Sequence, residues 1–295
     1  MQRRRSDGYH DIDTIFIPLV LFDRLEVTLR DRPGIEIRVD RDDVPQDEGN
    51  LACRAAREAA DALGAEAALR IEIQKQIPVA AGLGGGSSDA AAAILAVEAL
   101  YEQPLEPSRR WAIAAQLGAD VPFFLHPRPA RGLGRGDQLE DLPDLPELHW
   151  VLVSLPFAVS TPEAYRAASA ELTLPRHASS IAALLGPDGF VVSRSGDPHN
   201  DLEGAVARWH PEISAARQAL RQLGAQITGM SGSGPTVYAL FPDRLIAEQT
   251  AEQLMGSIES LSSAESRGLP VGARAIAVSS PGSDTLNWGW GVAKR

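Results

Sequence analysis

A glycine-rich segment at residues 78–93, PVAAGLGGGSSDAAAA, groups residue types that suit the binding of an anion. Glycine lets a backbone approach a ligand closely and adopt positive φ angles. A helix that follows such a segment presents unpaired N–H groups, and its dipole adds roughly half a positive charge. The segment therefore predicts a phosphate site that needs no lysine. We expect Ser87 or Ser88 to cap the helix and the other hydroxyl to touch a phosphate or its magnesium ion.

Two familiar nucleotide-binding loops fit this segment poorly. A Walker A loop requires Gly-Lys-Ser/Thr, whereas Ser87 follows Gly86 directly. A dinucleotide fingerprint places a glycine at three positions; Gly82 and Gly84 fit, but Ser87 stands at the third. The alternative to a phosphate site is a glycine-rich turn that caps a helix and binds nothing, although four glycines before Ser-Ser-Asp exceed what a turn requires.

The charge balance narrows the class of partner. The chain has 295 residues, with 28 Lys and Arg against 39 Asp and Glu, which gives a formal charge of −11. Such a field repels polyphosphate backbones, so we expect a small-molecule partner rather than nucleic acid. Lysine itself is scarce, since Lys75 and Lys294 are the only two in the sequence.

Cysteine, histidine and hydropathy patterns argue against other classes of protein. Cys53 is the only cysteine, which rules out an intrachain disulfide and a cysteine zinc site. The six histidines include no i,i+4 pair of the kind that forms a metal site. No apolar run approaches the roughly 20 residues that span a bilayer, and acidic residues interrupt the N-terminus where a secretory signal would lie. We expect a cytoplasmic protein with no membrane partner.

Short runs rich in β-formers, separated by turn residues, alternate with helical patterns in the first half of the chain. The predicted strands are Ile15–Leu21, Leu25–Leu29, Ile35–Val39 and Leu69–Ile73. The predicted helices run from about Asn50 to Leu63, from about Ser87 to Tyr101, and from Pro107 to near Gly118.

A proline- and aspartate-rich segment at residues 141–149 predicts a domain boundary. Beyond it, the predicted order is strand, helix, strand, strand, helix, strand, which is the split βαβ pattern of ferredoxin-like domains. A second glycine-rich turn, SGSG at residues 231–234, lies between the two middle strands. We therefore predict an α+β fold of two domains, residues 1–145 and 146–280, and a tail at residues 281–295 with no predicted structure.

The glycine-rich segment resembles the phosphate-binding motif of the GHMP kinases, which phosphorylate small alcohols. Other segments in matching order narrow the resemblance to the branch that acts on a cytidine-diphosphate-linked methylerythritol in non-mevalonate isoprenoid synthesis. They are RRSDGYHDIDTIF near the N-terminus, LGADVPFFL at 117–125, STPEAY at 160–165, HNDLE at 199–203 and MSGSGPTVYALF at 230–241. The resemblance implies the two-domain GHMP kinase fold, with an N-terminal ATP-binding α/β domain and a C-terminal ferredoxin-like domain.

The resemblance also implies a reaction, the transfer of the γ-phosphoryl group of ATP to the 2-hydroxyl of the substrate with the help of Mg²⁺. Asp120 matches the family's catalytic aspartate, the base for the acceptor hydroxyl; the alternative is an Asx turn or cap after Gly118. Ser88 is expected to contact Mg²⁺. The phosphate-binding residues would be Pro78, Ala80, Gly82, Leu83, Gly84, Gly85, Gly86, Ser87 and Ser88.

Residues for the two nucleotide bases follow from the same resemblance. Tyr9 and His10 match the pair that recognises cytosine, the tyrosine by stacking and the histidine by hydrogen bonding, and Tyr165 matches the aromatic residue on the opposite face of the base. Ordinary half-buried packing is the alternative for both tyrosines. Asn50 and Lys75 match positions near the adenine pocket; for Asn50 the alternative is a plain helix cap.

In the family, a strand that carries a lysine precedes the segment matching RRSDGYH, and Met1 falls after that strand. We therefore expect slow turnover from a chain that starts at Met1, and we favour a start codon further upstream. Two other functions stay open: a nucleotide-binding protein with little catalysis, and a GHMP kinase for another alcohol such as homoserine. A monomer or a homodimer is expected.

Overall fold

The computed structural model of the chain describes residues 1, 3–171, 185–186, 189–190, 197–259 and 268–282. The helices of these residues are α1 Leu51–Ala62, α2 Gly85–Leu100, α3 Pro107–Leu117, α4 Val121–Leu125, α5 Thr161–Glu171, α6 Glu203–Trp209, α7 Glu212–Gln222 and α8 Arg244–Glu259. The strands are β1 Arg3–Arg4, β2 His10–Phe16, β3 Arg24–Leu29, β4 Gly34–Val39, β5 Ala68–Gln74, β6 Ala130–Gly134, β7 Gln138–Asp141, β8 Leu148–Ser154, β9 Leu185–Gly186, β10 Gly189–Phe190, β11 Ile227–Met230, β12 Val237–Phe241 and β13 Arg274–Ser280.

A three-stranded sheet in the order β3-β5-β4 forms one part of the first half. The central strand β5 runs antiparallel to β3 and parallel to β4. Its apolar residues Leu69, Ile71 and Ile73 are buried and alternate with exposed polar ones, as the sequence predicts for a half-buried strand. They share a core with alanine-rich faces of α1 and α2. This core fixes α2, the helix that follows the glycine-rich segment.

A second sheet, in the order β1-β2-β6-β7, is antiparallel throughout. The predicted strand at residues 15–21 is wrong in its position, because β2 covers His10–Phe16. Its pairing with β6 ends where Phe16 lies opposite Ala130. Pro18 follows, and proline has no N–H with which to continue the ladder. Because β2 begins at His10, Tyr9 and His10 lie at the start of a paired strand.

The sheet of the second half has the order β11-β12-β8-β13, with every pair antiparallel. This interleaved order is that of a split βαβ unit, so the predicted α+β fold with a ferredoxin-like second part is confirmed. Helices α5 to α8 contribute to the large core on this sheet, which includes Val151, Ile213, Phe241 and Leu254. The predicted limits of the two domains stay predictions, and residues 283–295 of the predicted tail lie outside the described residues.

Hydrogen bonds tie the two halves of the chain together. The N–H of Val20 donates to the carbonyl of Ser279 at 2.8 Å, and the N–H of Thr236 donates to the carbonyl of Ala81 at 3.2 Å. These contacts hold the sheets on two sides of one cleft. In the part of the chain that the structure describes, no helix has the length and apolar character that crossing a membrane requires.

Truncation of Leu254 tests the core under the second sheet. Leu254 is fully buried on α8, whereas Leu245 on the same helix is 62% exposed. We expect Leu254→Ala to lower the free energy of unfolding by about 2–5 kcal/mol, because it leaves a cavity between helix and sheet. Urea unfolding followed by circular dichroism measures the loss. Leu245→Ala is the matched control, and equal losses in the two variants would contradict the burial argument.

Candidate functional site

A cleft of about 2590 Å³ lies between the two halves of the chain. Its wall brings together most of the residues that the sequence singles out: Tyr9, His10, Ala80, Gly82, Leu83, Gly84, Ser87, Ser88, Asp120 and Tyr165. Pro78, Gly85, Gly86, Asn50 and Lys75 are not on that wall. The second glycine turn, residues 231–234, lines the cleft from the opposite side.

The phosphate loop, residues 78–84, ends in a cap that the sequence did not predict. Gly84 is the N-cap of α2 and has φ 71°, and no side chain caps the helix. The expectation that Ser87 or Ser88 caps α2 is therefore wrong, because both serines lie inside the first helical turn. The N–H groups of Gly85, Gly86 and Ser87 have no capping side chain, so they are available to an anion.

The second glycine turn supports the phosphate loop through direct contacts. The Ser231 hydroxyl donates to the carbonyl of Gly82 at 2.8 Å. Gly82 has φ +74°, and a Cβ added there would lie 2.5 Å from the carbonyl oxygen of Ser231 and 2.8 Å from that of Gly234. Only glycine fits this position, which means that the loop geometry depends on the turn that faces it.

Lys75 lies beneath the first turn of α2, in a buried cluster of three charges. Its Nζ pairs with Asp23 Oδ2 and, at 2.7 Å, with Asp89 Oδ2. Asp23 also accepts hydrogen bonds from the N–H groups of Gln76 at 2.6 Å and Ile77 at 2.9 Å. Burial raises the pKa of Asp89 to about 6; the charge of Lys75 opposes the rise and that of Asp23 adds to it. No sequence motif pointed to Asp23 or Asp89 as partners of Lys75.

Asn50 acts as a helix cap. Its Oδ1 accepts from the N–H of Ala52 at 2.9 Å, and its Nδ2 donates to the carbonyl of Pro45 at 2.9 Å. The side chain is buried at the start of α1, away from the wall of the cleft. Both ends of the amide are thus engaged by the fold itself.

Asp120 lies between α3 and α4 and faces the cleft, with its side chain exposed there. It occupies the N-cap position of α4 but makes no capping hydrogen bond. Protein atoms around the carboxylate displace part of its water, and this desolvation raises its pKa. Within the described residues no hydrogen bond or ion pair engages the Asp120 side chain. A desolvated carboxylate without a partner is suited to accept a proton from a ligand.

The predicted base-binding residues form two separate contacts. The ring of His10 stacks on Tyr165, with centroids 5.2 Å apart and planes 22° from parallel. Ser169 Oγ lies 2.7 Å from His10 Nε2 and donates to the carbonyl of Tyr165 at 2.6 Å. The ring of Tyr9, which is 54% exposed, lies beneath the guanidinium of Arg135. Among the described residues no ring contact joins Tyr9 to Tyr165.

Tyr165, one of the predicted base-binding residues, is also influenced by Asp120. Burial raises the pKa of the Tyr165 phenol to about 12, and the negative charge of Asp120 adds to the rise. Both side chains line the cleft. Sequence reasoning missed Ser169 and Arg135, because each touches its partner only through the fold.

Comparisons with known proteins show which proteins this chain is similar to. The family model described as the GHMP kinases N terminal domain matches residues 50–128, and the model described as GHMP kinases C terminal matches residues 192–257. The "4-diphosphocytidyl-2-C-methyl-D-erythritol kinase" of Moorella thermoacetica is 41% identical, over 85% of this chain and 88% of that protein. The protein of the same name from Pseudarthrobacter chlorophenolicus is 37% identical, over 96% of this chain and 91% of its own.

Solved structures show the same similarity. A crystal structure of 4-(cytidine 5'-diphospho)-2C-methyl-D-erythritol kinase superposes with a TM-score of 0.73 at 35% identity, covering 95% of this chain and 94% of that one. The homoserine kinase of Cytophaga hutchinsonii superposes with a TM-score of 0.67 at 18% identity, covering 96% of both chains. The second likeness concerns the fold alone.

Replacement of Gly82 by alanine tests the contact between the phosphate loop and the second glycine turn. The added Cβ would meet the Ser231 carbonyl at 2.5 Å, and an alanine at positive φ costs about 1–2 kcal/mol before any clash. We expect Gly82→Ala to lower the free energy of unfolding by at least that amount, measured by urea unfolding. Gly204→Ala, on α6 where nothing lies within 4 Å of the added Cβ, is the control. A loss no larger than in the control would contradict the close contact.

The pH dependence of stability tests the buried charge cluster. The folded chain holds a proton on Asp89 up to pH about 6, whereas an ordinary aspartate has a pKa of 3.8. The folded state thus binds more protons between these values, and this group makes the free energy of unfolding fall as pH rises through that window. Asp89→Asn removes the titration. As pH rises through the window, the free energy of unfolding of the variant should therefore increase relative to that of the unmodified chain, by about 1.4 kcal/mol in total for each unit by which the pKa of Asp89 is raised.

Urea unfolding at half-unit steps from pH 4 to pH 7 measures this difference. Asp61→Asn, an exposed aspartate on α1, is the control and should follow the unmodified chain at every pH. If the curves of Asp89→Asn and the unmodified chain run parallel, the pKa of Asp89 is not raised.

Proposed function

Because this chain belongs to the GHMP kinases, in the group of the 4-diphosphocytidyl-2-C-methyl-D-erythritol kinases, we propose that it transfers the γ-phosphoryl group of ATP to the 2-hydroxyl of 4-diphosphocytidyl-2-C-methyl-D-erythritol. One observation carries the proposal. A single cleft brings together the start of α2, where Gly84 and Ser87 lie on its wall and no side chain caps the helix, the unpartnered Asp120 and the His10–Tyr165 stack. In the proposed reaction, the start of α2 would bind the phosphates, Asp120 would face the acceptor hydroxyl, and the stack would bind the cytosine.

The phosphate loop would hold the triphosphate of ATP. Its fit is supported by the absence of a capping side chain at α2 and by the open space around Gly86, where an added Cβ meets no atom within 4 Å. Mg²⁺, when bound, neutralises charge on the phosphate oxygens. We assign Ser88 as its protein contact. Among the described residues no group of three or more His, Cys, Asp or Glu side chains is arranged to hold a metal, so phosphate oxygens and water would supply the remaining ligands.

Asp120 would accept the proton of the substrate hydroxyl while that oxygen forms its bond to the γ-phosphorus and ADP leaves. A base works best when its pKa approaches the working pH. Desolvation moves the pKa of Asp120 in that direction. The position of the carboxylate at the ends of α3 and α4 fixes it on two packed elements rather than on a free loop.

The cytosine end of the substrate would bind at Tyr9, His10 and Tyr165. Stacking on an aromatic ring is worth about 1–3 kcal/mol per base, and a polar contact adds selectivity for one base.

We further propose that the enzyme works in the cytoplasm on a small molecule and does not bind nucleic acid. It would act as a monomer or homodimer, with residues 1–145 and 146–280 as its two domains. The net charge of −11 supports the exclusion of nucleic acid.

Release of ADP tests the proposed function. The full chain is incubated with ATP, Mg²⁺ and 4-diphosphocytidyl-2-C-methyl-D-erythritol, and ADP and the phosphorylated product are measured. Homoserine replaces the substrate in a parallel reaction. ADP release in the presence of homoserine but not of the cytidine substrate would contradict the proposed substrate. ATP binding without ADP release in the presence of either alcohol would contradict the proposed catalysis.

Asp120→Asn tests the catalytic assignment. A positioned general base contributes about 10²–10⁴-fold to rate, so we expect kcat to fall by that factor while the dissociation constant of ATP stays within about twofold. Steady-state kinetics and calorimetric ATP titration measure the two quantities. Asp61→Asn, on the exposed face of α1, should keep full activity. If Asp120→Asn retains kcat, Asp120 is not the base.

A further inference from the structure

Arg135 belongs to the turn between β6 and β7 and lines the same cleft as Tyr9. Its guanidinium carbon lies 5.2 Å from the centroid of the Tyr9 ring. A cation at this distance from the face of a tyrosine is attracted by the ring electrons. The contact covers part of a side chain that is otherwise open to solvent.

The guanidinium is itself held in place. Nε and Nη2 donate to Asp137 Oδ2 at 3.0 and 2.6 Å, and Nη2 also donates to the carbonyl of Ala115 at 3.1 Å. These bonds fix the plane of the guanidinium, which a lysine could not reproduce, because an ammonium group has no plane. Arg135 is therefore a rigid plate rather than a mobile surface charge.

The hydrogen bonds of Tyr9 hold its backbone but not its ring, so the ring depends on the contact with Arg135 for its orientation. Its carbonyl accepts from the N–H of Arg5 at 2.8 Å, and its N–H donates to Asp7 Oδ1 at 3.1 Å. Neither bond restrains the ring. A ring that is already oriented loses less rotational freedom when a base stacks on it, and this preorganisation strengthens binding.

The same turn also borders the reacting end of the cleft. Gly136 follows Arg135, and a Cβ added to Gly136 would lie 4.0 Å from Asp120 Oδ1. Ala115, which accepts from Arg135, belongs to α3, the helix that ends just before Asp120. The β6–β7 turn thus contacts the ring of Tyr9 through Arg135 and passes near the Asp120 carboxylate at Gly136.

We propose that Arg135 is a positioning residue that holds the ring of Tyr9 for stacking on the cytosine of the substrate, at a fixed distance from Asp120. The inference rests on the proposed function, because it takes Tyr9 as part of the cytosine site. It differs from a direct role of the Arg135 charge toward the phosphates of the substrate, in which a lysine would suffice.

Two substitutions separate these roles. Arg135→Lys keeps the charge and loses the plane, and Arg135→Met loses both. We expect both variants to raise KM for the cytidine substrate by about three- to tenfold, the loss for one side chain that must be newly immobilised. The values of kcat and of KM for ATP should stay within about twofold. Arg128→Met, an exposed arginine of the same region, is the matched control and should leave all three constants unchanged.

Binding of CDP, measured by isothermal titration calorimetry, gives a readout that does not need turnover. The dissociation constant of CDP should rise by the same factor in both variants of Arg135, with thermal unfolding confirming that they fold. Unchanged CDP affinity in both would overturn the proposal, and so would full recovery by lysine, which would assign the effect to charge. Failure of the proposed function has another signature, since the unmodified chain would then release no ADP while its CDP binding still tests Arg135.

Discussion

The contact between two glycine turns is the constraint on which the cleft depends. Ser231 donates from its hydroxyl to the carbonyl of Gly82, and Thr236 donates from its N–H to the carbonyl of Ala81. The backbones approach so closely that a Cβ at Gly82 has no room. One of these turns belongs to the sheet of the second half, and the other leads into α2 of the first half. The same contact therefore sets the shape of the phosphate loop and the position of the wall that faces it.

Lysine does not supply the positive charge of the proposed phosphate site. Lys75 is engaged by Asp23 and Asp89, and the three buried charges together carry a net negative charge when all are ionised. Under the proposed function, peptide N–H groups at the start of α2 form the positive end of the site instead. Such groups do not titrate and lose no rotamer freedom when a ligand binds. Below pH about 6, protonation of Asp89 removes one negative charge from this cluster.

Local sequence patterns predicted the helices and strands that have strong hydrophobic periodicity, whereas the limits of other elements depend on pairing between strands. The alternation on β5 and the strand and helix order of the second half needed no knowledge of distant residues. The position of β2 did, because its limits follow from pairing with β6 and from Pro18. The five-residue helix α4 is too short for a periodic signal. Ser87 and Ser88 are of a residue type that often caps helices, but the N-cap of α2 is Gly84, which adopts a left-handed conformation.

For the site, the residue types in the motifs indicated which side chains share the cleft, but not what holds them. Arg135 reaches Tyr9 and Ser169 reaches His10 across long stretches of chain, and no spacing rule connects them. Asp120 is the reverse case, since the described residues give it no partner at all. Its side chain is open to the cleft, while nearby protein atoms displace part of its water and raise its pKa. Under the proposed function, the hydroxyl of a bound substrate is the partner that Asp120 lacks among the described residues.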